Sequence, residues 1–426
     1  VADVIKWAKE RGYTTEYDGE IDNNFSLEEA KEFIEQLNPS MPRNEKARDY
    51  QENSFVHAIR SKRRIVISPT GSGKSLLAYV MCNYLLKQGV RVLLIVPRSA
   101  LVEQMYSDFE SYSQNNGKDM SKYCHRIYSG KDKQTNKPIV ISTWQSLMRL
   151  PAEWFKQFGC VICDEVHLAQ AKELTNILTK CSEAEYRIGV TGTLSGAKAH
   201  EWVLKGLFGD VFKATSSREL MDKGQLAELR IKCLVLKYPE EHCAYMKKVD
   251  YRTEVQYIVN NPERNKFLVN LALSLEGNTM LMFNFVEHGE TIYKMLNTKI
   301  KDGRKVFLIH GKTDVEEREQ IRTILANESN AILVGSSGVL STGTNIPSLA
   351  NLIFAHPTKS KIRTLQSVGR ALRVHKDKSH ATLFDIVDDF TYKKRENYSV
   401  KHFIERLKMY ADEKFEFKIY NIQMKG

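Results

Sequence analysis

The stretch SPTGSGKS at residues 68–75 decides the fold of this chain. It follows an apolar run at 65–67 and precedes a helical pattern at 76–86. Strand, glycine-rich loop and helix in this order predict a phosphate-binding loop, because backbone N–H groups and the helix N-terminus surround an anionic oxygen. In such a loop Lys74 reaches the β- and γ-phosphates, and the Ser75 hydroxyl holds Mg²⁺. The strict pattern opens with Gly, and Ser68 takes that place here.

An acidic pair follows a second apolar run. Residues 161–167 read VICDEVH, so Asp164 and Glu165 come at the carboxyl end of a predicted strand. An aspartate at this place takes a metal ion, directly or through water, and the following glutamate polarises an attacking water. The two motifs together predict a nucleoside triphosphatase that uses ATP and Mg²⁺.

Composition limits the class of protein. A chain of 426 residues is too long for one core, which predicts two or three domains. No apolar run approaches the ~20 residues of a membrane span, and no signal peptide is visible. The chain begins at Val1 rather than Met, so we expect that preceding sequence is missing. The seven cysteines are expected to be reduced, and Cys160 and Cys163 are interpreted as strand residues. We expect a monomeric cytoplasmic protein, located in the host cytoplasm if it is encoded by a phage.

Charge is distributed unevenly along the chain. Lysine and arginine exceed aspartate and glutamate by 63 − 52 = 11, yet residues 1–40 hold ten acidic and four basic side chains. The remainder therefore carries a net charge of +17. A basic body of this size predicts a polyanion partner, most often nucleic acid.

Periodicity predicts α/β architecture with doubly wound parallel sheets. Expected strands of the first series lie at 64–68, 90–96, 138–142, 159–163 and 186–190. A further strand at 230–237 precedes the second series at 279–284, 304–309, 330–335, 351–355 and 380–385. The predicted division is an acidic N-terminal α+β fragment (1–41), an ATP-binding domain (42–225), a second domain (226–390) and a basic C-terminal helical extension (391–426).

A predicted helix of the second domain carries two arginines on one face. Residues 366–373 read QSVGRALR, which places Arg370 and Arg373 three positions apart. Their guanidinium groups suit phosphate oxygens and would complete the triphosphate site from the other side. An exposed basic helix face is the alternative interpretation.

Eight segments resemble the ordered motifs of superfamily 2 helicases of the DExH type. They are the Q motif at 48–51, motif I at 68–75, motif Ia at 96–101, the segment at 142–145, motif II at 164–167, motif III at 191–193, motif V at 341–345 and motif VI at 366–373. The resemblance covers roughly residues 42–390 and implies two tandem RecA-like domains. Details such as YADEKF at 410–415 further resemble the UvsW-type helicases of T-even phages.

The resemblance also implies roles for individual residues. Those expected to bind the nucleotide are Arg48, Gln51, Thr70, Gly71, Ser72, Gly73, Lys74, Ser75, Gly343 and Asn345. Catalytic roles are implied for Lys74, Asp164, Glu165, Gln366, Arg370 and Arg373, with Ser75 and Asp164 on Mg²⁺. Contacts with DNA are implied for Arg98, Thr143, Trp144, Thr191, His310, Gly311 and Thr342. Trp144 either stacks on a base or is a buried packing residue.

The family implies a motor that acts on single-stranded, forked or branched DNA and on RNA–DNA hybrids in R-loops. Three alternatives stay open on sequence alone. An RNA helicase would use the same backbone contacts. The translocating subunit of a restriction nuclease would share the motor, and a binding protein with an inactive motor would share the fold.

Overall fold

A computed structural model describes residues 8, 10–14, 24–41, 45–128, 130–168, 171–194, 198–301, 303–337, 349–357 and 380–424. Within these ranges the chain forms two seven-stranded sheets in which all pairs of neighbouring strands are parallel. This confirms the predicted α/β fold class, with two tandem sheets.

The first sheet has the strand order β3-β4-β2-β5-β6-β1-β7. Its strands are Arg63–Ile67 (β1), Val92–Val96 (β2), Cys124–Ile127 (β3), Ile139–Thr143 (β4), Cys160–Asp164 (β5), Tyr186–Thr191 (β6) and Val211–Lys213 (β7). Helices and short helical turns of this half are Leu27–Leu37 (α1), Asp49–Ser61 (α2), Lys74–Lys87 (α3), Ser99–Tyr112 (α4), Met120–Tyr123 (α5), Trp144–Leu147 (α6), Ala152–Phe155 (α7), Ala171–Lys180 (α8), Lys198–Phe208 (α9) and Ser217–Asp222 (α10).

The second sheet has the order β10-β11-β9-β12-β13-β8-β14. Its strands are Glu228–Lys237 (β8), Asn278–Phe283 (β9), Val306–Ile309 (β10), Ile332–Ser336 (β11), Leu349–Phe354 (β12), His380–Asp389 (β13) and Glu416–Gln423 (β14). The helices are Glu240–Met246 (α11), Tyr251–Asn260 (α12), Pro262–Ser274 (α13), Val286–Lys299 (α14), Val315–Asn327 (α15) and Tyr398–Asp412 (α16). None of the helices in the described ranges has the length and apolar character that a membrane span needs.

Central strands are buried on both faces, as their continuous apolar sequences predict. In β2, Leu94 lies in the hydrophobic core on one side of the first sheet, and Leu93 and Ile95 lie in the core on the other side. Cys160 and Cys163 of β5 likewise lie in opposite cores, and all seven cysteines are buried and free. This agrees with their interpretation as strand residues.

The acidic N-terminal helix α1 packs into the first core. Ser26 caps it: its hydroxyl accepts from the Glu29 N–H at 3.1 Å, and its own N–H donates to the Glu29 carboxylate at 2.6 Å. Phe33 makes aromatic contacts with Phe55 of α2 and Tyr84 of α3. The helix is therefore held by side-chain packing against the phosphate-loop half of the molecule. Most residues before it lie outside the described ranges.

Two buried ion pairs fasten helices to β13. Arg264 of α13 donates to Asp388 at 2.7 Å, and both side chains have no exposed surface. Arg406 of α16 donates to Asp385 at 2.8 Å, and the Tyr410 hydroxyl donates to the same carboxylate at 3.0 Å. Each charge is compensated by its partner, and removing one partner of such a pair typically costs about 3–5 kcal/mol.

The predicted strands and the predicted helix at the C-terminus are all present, but three strands were not predicted. They are β3, β7 and β14. The basic extension is therefore not only helical, because β14 pairs in parallel with β8 at the edge of the second sheet. Seven of its eight residues are exposed, so it lacks the apolar run of a buried strand.

Candidate functional site

The carboxyl ends of β5, β6 and β1 lie side by side in the first sheet. The glycine-rich loop follows β1, the acidic pair ends β5, and Thr191 ends β6. The Ser68 N–H donates to the Thr191 carbonyl at 2.9 Å, which joins two of these ends directly. Residues far apart in the sequence therefore meet at one edge of the sheet, where open α/β sheets bind ligands.

The loop has the backbone conformation that its glycines permit. Gly73 has φ 87° and immediately precedes α3. A Cβ atom at this position would lie 2.4 Å from the Gln51 amide nitrogen, so only glycine fits without displacing Gln51. Helix α3 begins at the next residue, Lys74, and the N-terminus of a helix favours the binding of an anion.

Hydrogen bonds to Ser72 brace the loop from several directions. Its carbonyl accepts from the Tyr50 hydroxyl at 3.0 Å and from Gln51 Nε2 at 2.8 Å. The Ser68 hydroxyl donates to the Ser72 hydroxyl at 2.6 Å, which itself donates to the Pro69 carbonyl at 2.7 Å. Ser68, the departure from the strict motif, thus contributes a side-chain bond that glycine could not make.

Lys74 and Glu165 face each other across the edge of the sheet. Lys74 Nζ lies 3.1 Å from Glu165 Oε1, and the two side chains are 13% and 15% exposed. Glu165 Oε2 lies 3.3 Å from His167 Nδ1 but accepts no hydrogen bond although it is buried. The backbone of Glu165 has φ 49°, a left-handed conformation that costs a residue with a side chain roughly 1–2 kcal/mol.

The two carboxyl groups have opposite shifts in pKa. Burial raises the pKa of Asp164 to about 7, and the adjacent Glu165 carboxylate adds to the rise. Burial acts in the same direction on Glu165, but Lys74 and His167 outweigh it and hold the pKa of Glu165 below its usual range. Glu165 is thus ionised, as a group that orients water must be, and Asp164 would gain from a bound cation.

A chain of hydrogen bonds connects motif II with motif III. The Thr191 hydroxyl donates to the Thr193 carbonyl at 2.8 Å and lies 2.5 Å from His167 Nδ1. Because that hydroxyl donates elsewhere, His167 Nδ1 must carry the proton and donate to it. Burial lowers the pKa of His167. These contacts connect His167 of motif II with Thr191 and Thr193 of motif III.

The residues suit a magnesium–triphosphate ligand. Hydroxyl and carboxylate oxygens of Ser75 and Asp164 are the type of donor that Mg²⁺ prefers. Ser75 Oγ lies 3.0 Å from the hydroxyl of Tyr112, at the end of α4. Among the described residues no group of three or more His, Cys, Asp or Glu side chains forms a metal cage. Few protein ligands are expected for Mg²⁺, which usually keeps several waters and binds substrate phosphates.

The segment at 48–51, which resembles the Q motif, lies beside the loop. The Arg48 N–H donates to Gln51 Oε1 at 2.9 Å, and the Arg48 guanidinium donates to the Tyr50 hydroxyl at 3.1 Å. Thr70 is half-buried in the loop turn. The Tyr50 ring lies in a core that it shares with Leu226 and strands of the second sheet.

Predicted DNA contacts fall into two groups. Arg98 and Gly311 are exposed, and His310 is half-buried after β10. Trp144, Thr143 and Thr191 are 7%, 5% and 0% exposed. Trp144 lies in the core with residues of α6 and α7, which favours the packing interpretation over stacking on a base. The nucleic-acid roles of all these residues stay predictions.

Several predicted residues lie outside the described ranges. They are Thr342, Gly343, Asn345, Gln366, Arg370 and Arg373. Conversely, sequence reasoning assigned no role to Tyr50 or Tyr112. Tyr50 could have been suspected because it adjoins Gln51, whereas the contact of Tyr112 with Ser75 spans 37 positions and has no local signal.

A phosphate loop and an acidic strand end on one parallel sheet, followed by a second sheet of the same kind, are the features of P-loop nucleoside triphosphatases with tandem RecA-like domains. Residues 44–196 match the type III restriction enzyme res subunit family, and residues 263–375 match the helicase conserved C-terminal domain. The yeast protein Dbp5 of S. cerevisiae, solved with RNA and ADP BeF3, has a TM-score of 0.60 at 14% identity and covers 92% of each chain. That likeness concerns the fold alone.

Two relatives are similar in sequence over most of the chain. The ATP-dependent DNA helicase uvsW of Enterobacteria phage T4 is 34% identical over 390 residues, which cover 88% of this chain and 77% of the phage protein. The XPB helicase/translocase subunit of general transcription and DNA repair factor IIH from Danio rerio is 25% identical over 391 residues. These cover 87% of this chain, which spans about half of the fish protein (48%). The chain belongs to the superfamily 2 helicases of the UvsW type, which are ATP hydrolases.

Proposed function

We propose that this chain is an ATP-dependent DNA helicase and translocase that unwinds or branch-migrates forks, junctions and R-loops. The observation that carries the proposal is the contact of Lys74 with Glu165 at the edge where the phosphate loop and Asp164 also lie. It supplies a cation for the phosphates and a carboxylate for water within one site. DNA rather than RNA is favoured because the phage relative at 34% identity is named a DNA helicase.

The geometry suggests an order of events at the site. Lys74 Nζ lies 3.1 Å from Glu165 Oε1 and therefore forms an ion pair with that carboxylate. Triphosphate oxygens would compete for Lys74, and Glu165 would then orient water. Mg²⁺ held by Ser75 and Asp164 supplies charge neutralisation when bound. Arg48 and Gln51 would read the base.

The second half of the chain completes the proposed site. Arg370 and Arg373 would close on the phosphates, with Gln366 beside them, and Gly343 and Asn345 would lie near the ribose. Closure and release of the two halves would move DNA held by backbone contacts, which are sequence-tolerant.

Remodelling of branched DNA is favoured over unwinding of plain duplex. The twenty residues between Asn345 and Gln366 include β12, which leaves few positions for a strand-separating hairpin at that place. The proposal also assigns residues 1–41 and 391–426 as accessory segments around the motor domains 42–225 and 226–390.

ATP turnover measured with a panel of nucleic acids tests the function. The panel is single-stranded DNA, blunt duplex, fork, four-way junction, RNA–DNA hybrid and RNA, each at equal nucleotide concentration. We expect forks and junctions to stimulate turnover several-fold more than blunt duplex, and Lys74→Ala to remain at background. Equal stimulation by RNA would favour an RNA helicase. Metal-dependent cutting of DNA would favour a restriction subunit, and both outcomes would overturn the proposal.

A further inference from the structure

The chain makes a tight two-residue turn directly after β13. Tyr392 and Arg395 pair across it, with N–H to carbonyl distances of 3.1 and 2.9 Å. Lys393 and Lys394 occupy the centre of the turn with φ of 45° and 65°. A type I′ turn needs positive φ at both central residues and prefers Asn-Gly. Lysine in this left-handed conformation is strained because of its Cβ atom, so folding alone would not favour lysine at these two positions.

The base of the turn is rigidly held. The buried Glu254 carboxylate accepts from Asn397 Nδ2 and the Ser399 N–H, both at 2.8 Å, and from the Tyr398 N–H at 3.1 Å. Asn397 Oδ1 in turn accepts from the Phe390 N–H at 3.0 Å. These bonds fix the strand before the turn to the helix after it. The strained backbone of the two lysines is therefore held in one conformation by its surroundings. Strain that is maintained in this way is commonly found at functional sites.

The turn projects beyond the edge of the second sheet. The last pair between β12 and β13 is Phe354↔Asp385, whereas β13 and β8 continue together to Asp389↔Lys237. Four further residues of strand amount to roughly 13 Å. Since the sheet is parallel, this is also the edge where His310 and Gly311 follow β10, four strands or about 19 Å away. That distance equals the length of five or six base pairs.

The cations of the turn are exposed and form no ion pair within the described part of the chain. Lys393, Lys394 and Arg395 are consecutive, and one carboxylate, Glu396, follows them. By contrast, exposed Lys266 and Lys408 each lie beside a carboxylate one helical turn away, at 3.8 and 3.0 Å. Within the described ranges, the cations of the turn are therefore not paired with a carboxylate as Lys266 and Lys408 are.

Further cations surround the turn. Lys247 Nζ lies 5.7 Å from the centre of the Tyr392 ring, and Lys401 Nζ lies 5.8 Å from the centre of the Tyr398 ring. Contact with the tyrosine faces holds the two ammonium groups near the turn. The α11–α12 connection, residues 247–250, contains one carboxylate, the exposed Asp250.

We propose that the basic turn, Tyr392–Arg395 with Lys247 and Lys401, binds the phosphate backbone of DNA as a contact separate from the helicase motifs. The proposal rests on the DNA-helicase function proposed above. It extends the track that begins at His310 and Gly311 along the same edge of the sheet. Binding there would be independent of sequence and would weaken steeply with salt.

The double variant Lys393→Asn/Lys394→Gly tests the basic turn without disturbing it. Asn-Gly is the pair that a type I′ turn prefers, so the melting temperature should not fall. Fluorescence anisotropy of a labelled forked DNA is measured from about 50 to 200 mM NaCl. We expect the slope of log K against log salt to become shallower by about 1.8, which is 0.9 for each lost phosphate contact. At the lowest salt the affinity should fall at least roughly fivefold.

Two further variants show whether DNA binding depends on the position of the lost charges or only on the total charge of the protein. Lys266→Asn/Lys408→Asn removes the same charge from lysines that already face carboxylates and should keep the wild-type slope. Lys393→Arg/Lys394→Arg keeps the charge and the turn and should bind as the wild type does. A wild-type slope in the Asn-Gly variant would overturn the basic turn as a DNA contact. Failure of DNA to stimulate ATP turnover by the wild type would instead overturn the proposed function.

Discussion

At the scale of single residues, the carbonyl of Ser72 is the point on which the phosphate loop depends. It accepts hydrogen bonds from Tyr50 and Gln51, and both donors belong to the helix that follows Arg48. The same Tyr50 ring lies in the core of the second sheet. One tyrosine therefore connects the conformation of the loop with the packing of the other half.

Tyr50→Phe separates these two contributions. The ring stays in the core, but the hydroxyl no longer bonds Ser72 and Arg48. We expect the free energy of unfolding to fall by about 1 kcal/mol and the KM for ATP to rise several-fold, measured by steady-state turnover. Tyr186→Phe, at the amino end of β6, is the control and should leave the KM unchanged. An unaltered KM in the Tyr50 variant would show that the bond to Ser72 is dispensable.

The contact of Lys74 with Glu165 predicts a compensating pair of substitutions. Lys74→Ala leaves a buried carboxylate without its cation, which should lower the free energy of unfolding by about 1–3 kcal/mol. Adding Glu165→Gln should restore most of this loss, as a double-mutant cycle in urea would measure. ATP turnover should be absent in all three variants. A double variant as unstable as Lys74→Ala would contradict the coupling.

At the scale of elements, buried strands and capped helices were predictable from the sequence, whereas the strands at the edges of the sheets, such as β14, were not. The central strands have continuous apolar runs, and Ser26 with Glu29 gives the start of α1. β14 mixes charged, polar and apolar residues on an exposed edge of the sheet, so its assignment depends on the partner β8, which is distant in sequence. The phosphate loop could be predicted because its signal lies in eight consecutive residues. The contact of Tyr112 with Ser75 could not, because it joins residues 37 positions apart that meet only in the folded chain.

Ser26→Ala tests how much α1 depends on its cap. The hydroxyl that accepts from the Glu29 N–H would be lost, whereas the backbone N–H of residue 26 would still donate to the Glu29 carboxylate. We expect a loss of about 1 kcal/mol in the free energy of unfolding, measured in urea. Glu32→Ala, on the exposed face of the same helix, should change it by less than about 0.5 kcal/mol.

At the scale of the whole molecule, buried polar groups make stability depend on pH. His288 of α14 donates through its Nε2–H to Asn265 Oδ1 at 3.0 Å, and its buried Nδ1 has no hydrogen-bond partner. Burial, together with the cationic Arg264 and the neighbouring His356, lowers the pKa of His288 to about 3. The imidazole is therefore neutral in the folded protein.

Acid should therefore destabilise the fold through His288. Below pH 6.5 the unfolded chain takes up a proton at this residue and the folded chain does not, so stability present above pH 6.5 is lost as the pH falls. Between pH 7.5 and pH 5 the loss from this group is about 2 kcal/mol. His288→Asn should reduce the decrease in urea stability over that interval by this amount. An unchanged pH profile would show that the imidazole is protonated in the folded state.

Helix α3 shows where motion in this enzyme has to occur. Residues 76–83, more than two full turns, are all buried, so every side of the helix is covered. Its surroundings include α1, α2, α4 and β2. A helix enclosed in this way can neither tilt nor rotate without disrupting the close packing of the interior around it. ATP hydrolysis is therefore expected to leave this helix in place, so that a conformational change would displace the second half of the chain.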